Sequence, residues 1–162
     1  MTNFDFLKSE PKFVAFTDVA ISAEKILNID IAASVLNCRR AMEFAVKWMY
    51  SVDKDLKMPY DTTLVALMST EEFRDVVGRD ILFRMTYIRK RGNEAAHSGN
   101  KISLDQAKLC IENLYIFIDF VACCYSEKYN DIITPFDKTL LENPGEDVAD
   151  KQKEVDFEKL IA

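Results

Sequence analysis

The chain reads as an all-α protein: an antiparallel bundle of about four main helices, with shorter helices between them and an acidic C-terminal extension. Three observations carry this reading. Apolar residues recur three and four apart over long stretches, above all across 31–49, 81–95 and 104–125. Only four glycines and four prolines interrupt the 162 residues, too few for a chain of many short strands and turns. Helix-start residues stand where those stretches begin, Asp30 before one and Ser103 before another. With 49% apolar and 30% charged residues, the composition is that of a globular domain with one core.

Residues 3–7 place Phe4, Phe6 and Leu7 ahead of the first helix, as an arm that tucks against the bundle. Pro11, after Ser9 and Glu10, opens a helix to Leu27 with Phe13, Phe16, Ala20, Ala23 and Leu27 on its inner face. Asp30 caps the next helix, Ile31 to Val52, whose stripe is Ile31, Val35, Cys38, Met42, Ala45 and Met49. On its wet side Glu43 and Lys47 form an i,i+4 pair. Residues 53–61 are a polar connection, followed by a short helix over Thr62 to Met68. Ser69 and Glu72 match a capping box for another short helix ending at Gly78.

The helix from Asp80 to His97 is the most suggestive part of the chain. Ile81, Met85, Ile88, Gly92 and Ala95 form one face. A glycine on the buried face of a helix, where it costs about 1 kcal/mol relative to Ala, predicts a close crossing by another element. The same helix holds the densest basic cluster, Arg84, Arg89, Lys90 and Arg91, and ends with His97, the only histidine. Arg39 and Arg40 extend that basic region if their helix packs beside it. Ser98-Gly99-Asn100 stops the helix, and Ser103 with Gln106 makes a second capping box. From Leu104 to Lys128 the face Leu104, Ala107, Ile111, Leu114, Ile118, Val121 and Tyr125 opposes a narrow polar stripe of Asp105, Glu112, Asp119 and Ser126. So little of this helix is polar that it reads as the centre of the bundle.

Charge divides the chain at about residue 128. Residues 1–128 carry 18 acidic and 17 basic side chains, whereas 129–162 carry 9 acidic and 4 basic. Of the net charge of −6, −5 therefore lies in the extension and −1 in residues 1–128, and a locally basic surface on the helical part is compatible with it. Residues 1–128 are expected to form the bundle domain. Residues 129–162 read as an extension leading away from it, with a terminal helix over Val148 to Ile161.

Several classes of chemistry find no motif. No uncharged apolar run approaches the roughly 18 residues of a membrane span. The first residues lack the basic and apolar regions of a signal peptide, so a cytoplasmic protein is expected. Cys38, Cys110, Cys123 and Cys124 form no Cys-x-x-Cys pair, and one histidine is too few for a zinc site, so no metal is expected and the thiols read as buried and reduced. There is no phosphate-binding Gly-x-x-x-x-Gly-Lys loop, Gly-x-Ser-x-Gly or His-Glu-x-x-His, and no cofactor is expected.

Residues 89–97, Arg-Lys-Arg-Gly-Asn-Glu-Ala-Ala-His, resemble the Arg-x-x-Gly-Asn-x-Ala-x-His signature of a HEPN-like helical domain at the N-terminus of type I restriction enzyme R subunits. Asn3-Phe4-Asp5-Phe6-Leu7, the Arg39–Trp48 stretch and Asp105-Gln106-Ala107 resemble other parts of that domain. The resemblance covers about residues 3–128. It implies a non-catalytic accessory domain that docks onto modification and specificity subunits or onto DNA. The motor and nuclease of such a subunit are absent from this chain. On that reading Arg89, Gly92, Asn93 and His97 are structural, and Arg84, Arg89, Lys90 and Arg91 are the nucleic-acid contacts.

Two alternatives stand beside it. Some HEPN proteins are metal-independent ribonucleases with Arg and His separated by four to six residues, a spacing that Arg91 and His97 match. Histidine would move the proton and arginine would stabilise the phosphorane. Against this, Gly92 directly follows the arginine, and an unbroken helix points Arg91 and His97 about 120° apart, so a homodimer seam or a helix break is required. The other alternative is a protein-interaction module of a different defence protein.

Overall fold

The computed structural model describes residues 1–97, 101–127 and 135–142. The expected stop at 98–100 and the expected terminal helix at 148–161 lie outside them. Helices α1 (Val14–Lys25), α2 (Ile31–Val52), α3 (Leu64–Ser69), α4 (Glu71–Ala96), α5 (Leu104–Tyr125) and α6 (Thr139–Glu142) account for the architecture, and no strand occurs among the described residues. The fold is all-α. No helix among the described residues is long and apolar enough to cross a membrane.

Most element boundaries follow from local chemistry. Pro11 opens a 3-10 turn, Pro11–Phe13, that runs into α1, and the whole expected inner face from Phe13 to Leu27 is buried. The Asp30 carboxylate accepts from the Ala33 N–H at 3.0 Å and starts α2. Ser103 and Gln106 form the reciprocal capping box of α5, at 3.1 and 2.9 Å. One cap falls a residue later than the sequence reading. The Thr70 hydroxyl accepts from Phe73 N–H, while Ser69 belongs to α3 and donates back to the Val65 carbonyl. α4 contains two helical runs meeting at Gly78, where φ of +80° breaks the helical backbone at the position the sequence marked as an end.

The four long helices run alternately up and down. Ser34 at the start of α2 donates to the Ala23 carbonyl near the end of α1. Tyr50 near the end of α2 donates to the Leu67 carbonyl just before α4 begins. Tyr125 at the end of α5 donates to Asp53 beyond the end of α2, so α5 runs alongside α2 in the same direction. α2 packs on α1, α4 and α5, whereas α5 packs mainly on α2 and α4. The hub is therefore α2, not α5 as its apolarity suggested.

The space between α1 and α5 is filled from both ends of the described chain. Phe4 and Phe6 meet the ring of Tyr115 edge-on at 5.9 and 6.0 Å, and Phe136 meets it at 5.4 Å. Asn3 donates through its backbone and side-chain N–H groups to the carboxylate of Glu24, which is only 2% exposed. Burial pushes the Glu24 carboxyl above its ordinary range, and the Asn3 hydrogen bonds partly oppose that. Asn3 also exchanges hydrogen bonds with the backbone of Asp137, and Asn28 donates to the Leu141 carbonyl.

Residues 135–142 thus return to the bundle and place Leu141 in the core, where the sequence suggested an extension leading away. This return also explains a misread face of α5. Asp119, assigned to the polar stripe, is 6% exposed, because it lies one turn from Tyr115 on the side that the arm and the returning segment cover. Leu104, expected inside, is exposed, and α5 ends at Tyr125 rather than Lys128. Among the thiols, Cys38 and Cys110 are buried, Cys123 is half-buried and Cys124 is exposed, so only two match the buried reading.

Candidate functional site

The glycine on the inner face of α4 has the close neighbour its position demands. A Cβ at Gly92 would lie 2.6 Å from Cδ and 2.9 Å from Cβ of Arg39, so the aliphatic stem of Arg39 on α2 fills the space a side chain would occupy. Two of the expected basic elements are therefore in contact. The Nε atoms of Arg39 and Arg91 are both buried without a hydrogen-bond acceptor, so this crossing leaves guanidinium donors unused.

The basic cluster does not stay together. Arg84 and Arg91, seven residues apart, share the flank of α4 that faces α5. Arg84 donates to Asn113 Oδ1 at 2.8 Å, and Asn113 is buried. Arg91 reaches Glu94 at 2.7 Å and stacks over the ring of Tyr87, 5.1 Å from its centroid. Burial raises the Tyr87 hydroxyl above its ordinary value, with the charge of Arg91 opposing the rise. The neighbouring Cys110 thiol is pushed up to about 12 by burial, again against Arg91.

On the opposite flank, Arg89 turns towards α3. It lines a pocket of about 150 Å³ with Val65, Met68, Ser69, Arg74, Leu82 and Thr86. That pocket shares Ser69, Arg74 and Leu82 with a wider cleft of about 490 Å³ that adds Glu71, Asp75, Gly78 and Arg79. Among the described residues, Arg74, Arg79 and Arg89 make no ion pair or side-chain hydrogen bond. Lys90 is exposed, and Phe83 stands 78% exposed on the same outward face.

His97 is not on the helix. It is the C-cap of α4, with extended backbone (φ −94°, ψ 128°), and its N–H donates to the Glu94 carbonyl at 3.2 Å. Its imidazole is exposed, Asn93 is half-buried, and neither side chain forms a hydrogen bond among the described residues. The crossing at Gly92 is thus filled by Arg39 rather than tied by Asn93 and His97. Arg91 is committed to Glu94 and Tyr87 while His97 lies beyond the helix end, and no hydrogen bond joins them within one chain. No group of three or more histidine, cysteine, aspartate or glutamate side chains among the described residues is arranged to hold a metal.

A family model described as a domain of unknown function, DUF4145, matches residues 22–151. The chain belongs to the DUF4145 family. No curated protein and no solved structure matches it. The DUF4145 match takes in α2 to α6 and begins near the end of α1, leaving out the N-terminal arm that packs on Tyr115. It also runs past residue 128, the point at which the charge change suggested an end to the domain, and includes the returning segment.

Within this DUF4145 domain, sequence reasoning missed Arg74 and Arg79 as partners of Arg89, because a linear basic cluster drew attention to Arg84 and Arg91. Helical spacing was the available signal for Arg79 alone; Arg74, on the far side of the break at Gly78, is brought to Arg89 only by the tertiary path of α3 and α4. Arg79, Phe83, Thr86 and Lys90 recur at four, three and four residues, a stripe displaced from the buried one.

Proposed function

We propose that this DUF4145 domain is a HEPN-like accessory domain of a type I restriction R subunit-like protein, docking it onto modification and specificity subunits or onto DNA. One observation supports the reading most. The stretches that carry the resemblance meet in space: Gly92 of the 89–97 signature receives the stem of Arg39 from the 39–48 stretch. Those residues serve the packing of the domain, which is what an accessory role asks of them. Arg91, paired with Glu94 and turned to α5, is poorly placed to stabilise a reacting phosphate beside His97.

The exposed imidazole of His97, without a hydrogen bond among the described residues, favours one alternative, a ribonuclease completed across a homodimer, in which His97 of one copy would meet an arginine of another. Incubating the full chain with labelled single-stranded RNA in chelator separates the two. The accessory reading expects no cleavage by wild type, Arg91→Ala or His97→Ala. His97→Ala should melt within about 0.5 kcal/mol of wild type, since its side chain is exposed. Metal-independent cleavage lost in both variants would establish the ribonuclease instead. For the docking role, co-elution with a modification and specificity complex on size exclusion is the expected positive result.

A further inference from the structure

The outward face of α4 combines three features. Residues 74–91 carry six basic and two acidic side chains, a strong local excess in an acidic chain. Arg84 is spent on Asn113 of α5 and Arg91 on Glu94 and Tyr87 of α4 itself, but Arg74, Arg79 and Arg89 line two clefts that share Ser69, Arg74 and Leu82, without ion-pair partners among the described residues. The inner pocket between Arg74 and Arg89 has no carboxylate in its wall; Glu71 and Asp75 line only the wider, outer part. Phe83 lines neither cleft but stands on the adjacent stripe of α4, four residues after Arg79 and seven before Lys90, with 78% of its surface in solvent.

A single exposed phenylalanine is ordinary. Flanked on its own helical stripe by Arg79, which lines the wider cleft, and by Lys90, it has the makeup of a surface that holds phosphates and stacks a base. A protein partner would be expected to cover several exposed apolar residues here; in the inner cleft only Val65 is one, Met68 being buried and Leu82 half-buried, and the rest of the stripe is Arg79, Thr86 and Lys90.

We infer that the outward face of α4, from Arg74 to Lys90, binds single-stranded nucleic acid, with its phosphates on Arg74, Arg79, Arg89 and Lys90 and an unstacked base on Phe83. The inference rests on the nucleic-acid contact in the proposed function and names both the ligand form and the residues. A duplex offers phosphates to the arginines but no free base face to Phe83, so the aromatic selects the single strand.

Fluorescence anisotropy of the full chain with labelled oligothymidylate, oligouridylate and a mixed-sequence duplex tests this. Both single strands should bind more tightly than the duplex, and a difference between them shows whether DNA or RNA is the better ligand. Phe83→Ala should weaken single-strand binding about tenfold and leave duplex binding and the circular dichroism unchanged. Arg74→Ala and Arg89→Ala should each flatten the dependence of log affinity on log salt by about 0.7 for every phosphate no longer neutralised. If wild type binds the single strands but none of these variants changes affinity, the inference fails while nucleic-acid binding elsewhere on the domain survives. If wild type binds no nucleic acid at low salt, both the inference and the DNA-binding half of the proposed function fall, and the docking test stands on its own.

Discussion

On the flank of α4 that faces α5, Arg84 donates to buried Asn113, and Arg91 holds Glu94 against the ring of Tyr87. On the opposite flank, Arg74, Arg79 and Arg89 line a cleft and form no ion pair among the described residues. The residue type is the same and the helix is the same. The difference is what lies across from each: the apolar α5 with its buried Asn113 in one case, a cleft open to solvent beside the short α3 in the other. Arg84, Arg89 and Arg91 are alike half-buried, so the contrast lies in the acceptors each one holds: Asn113 for Arg84 and Glu94 for Arg91, none in the wall of the inner cleft for Arg89 among the described residues. Position around the helix, rather than position along it, therefore decides whether an arginine here is structural or available.

That comparison can be broken in stages. The largest effect belongs to the packed flank itself. Ile111→Ala and Leu114→Ala, both fully buried on α5, should each cost about 2–5 kcal/mol in denaturant melts. Destabilisation under about 1 kcal/mol for both would mean that the core does not depend on α5.

The crossing between the flanks comes next. Gly92→Leu should destabilise by about 1–3 kcal/mol, since overpacking against Arg39 outweighs the helix-propensity gain. Because the clash is with the side chain of Arg39 from Cβ outward, Arg39→Ala in the same chain should recover part of that stability in a double-mutant cycle. A leucine variant as stable as wild type would place Gly92 outside any tight crossing.

The smallest effects draw the comparison most sharply. Arg84→Ala strands the Asn113 amide in a buried site and should cost about 1–3 kcal/mol. Arg89→Ala, on the open flank, should stay within about 0.5 kcal/mol of wild type. Equal costs for the two substitutions, measured by the same thermal and denaturant melts, would erase the distinction between paired and available arginines.

The main helices were legible because periodicity and caps are local. Asp30, the Ser103–Gln106 box, Pro11 and Gly78 act on backbone groups within a few residues, and each operates where the sequence placed it. The Glu43–Lys47 pair, 3.2 Å apart, is likewise an i,i+4 matter. Thr70 took the cap from Ser69 because two candidate hydroxyls were adjacent, and only the path of α3 settles which backbone turns.

Legible from residue order alone were therefore the helical class, the main helix boundaries, the buried faces of α1 and α2, most of that of α5, and the need for a neighbour at Gly92. Hydrophobic spacing and capping chemistry are properties of a helix alone. The packing of distant elements fixes which side chains meet: Arg39 at Gly92, Asn113 at Arg84, Asn3 at Glu24, and the return of residues 135–142 that sets Leu141 in the core. The physical reason is that a side chain's environment is set by elements distant in sequence, so charge and polarity along one helix leave open whether its flank faces solvent or another helix. For the arginines of α4, that choice separates the residues that hold the bundle together from those free to bind.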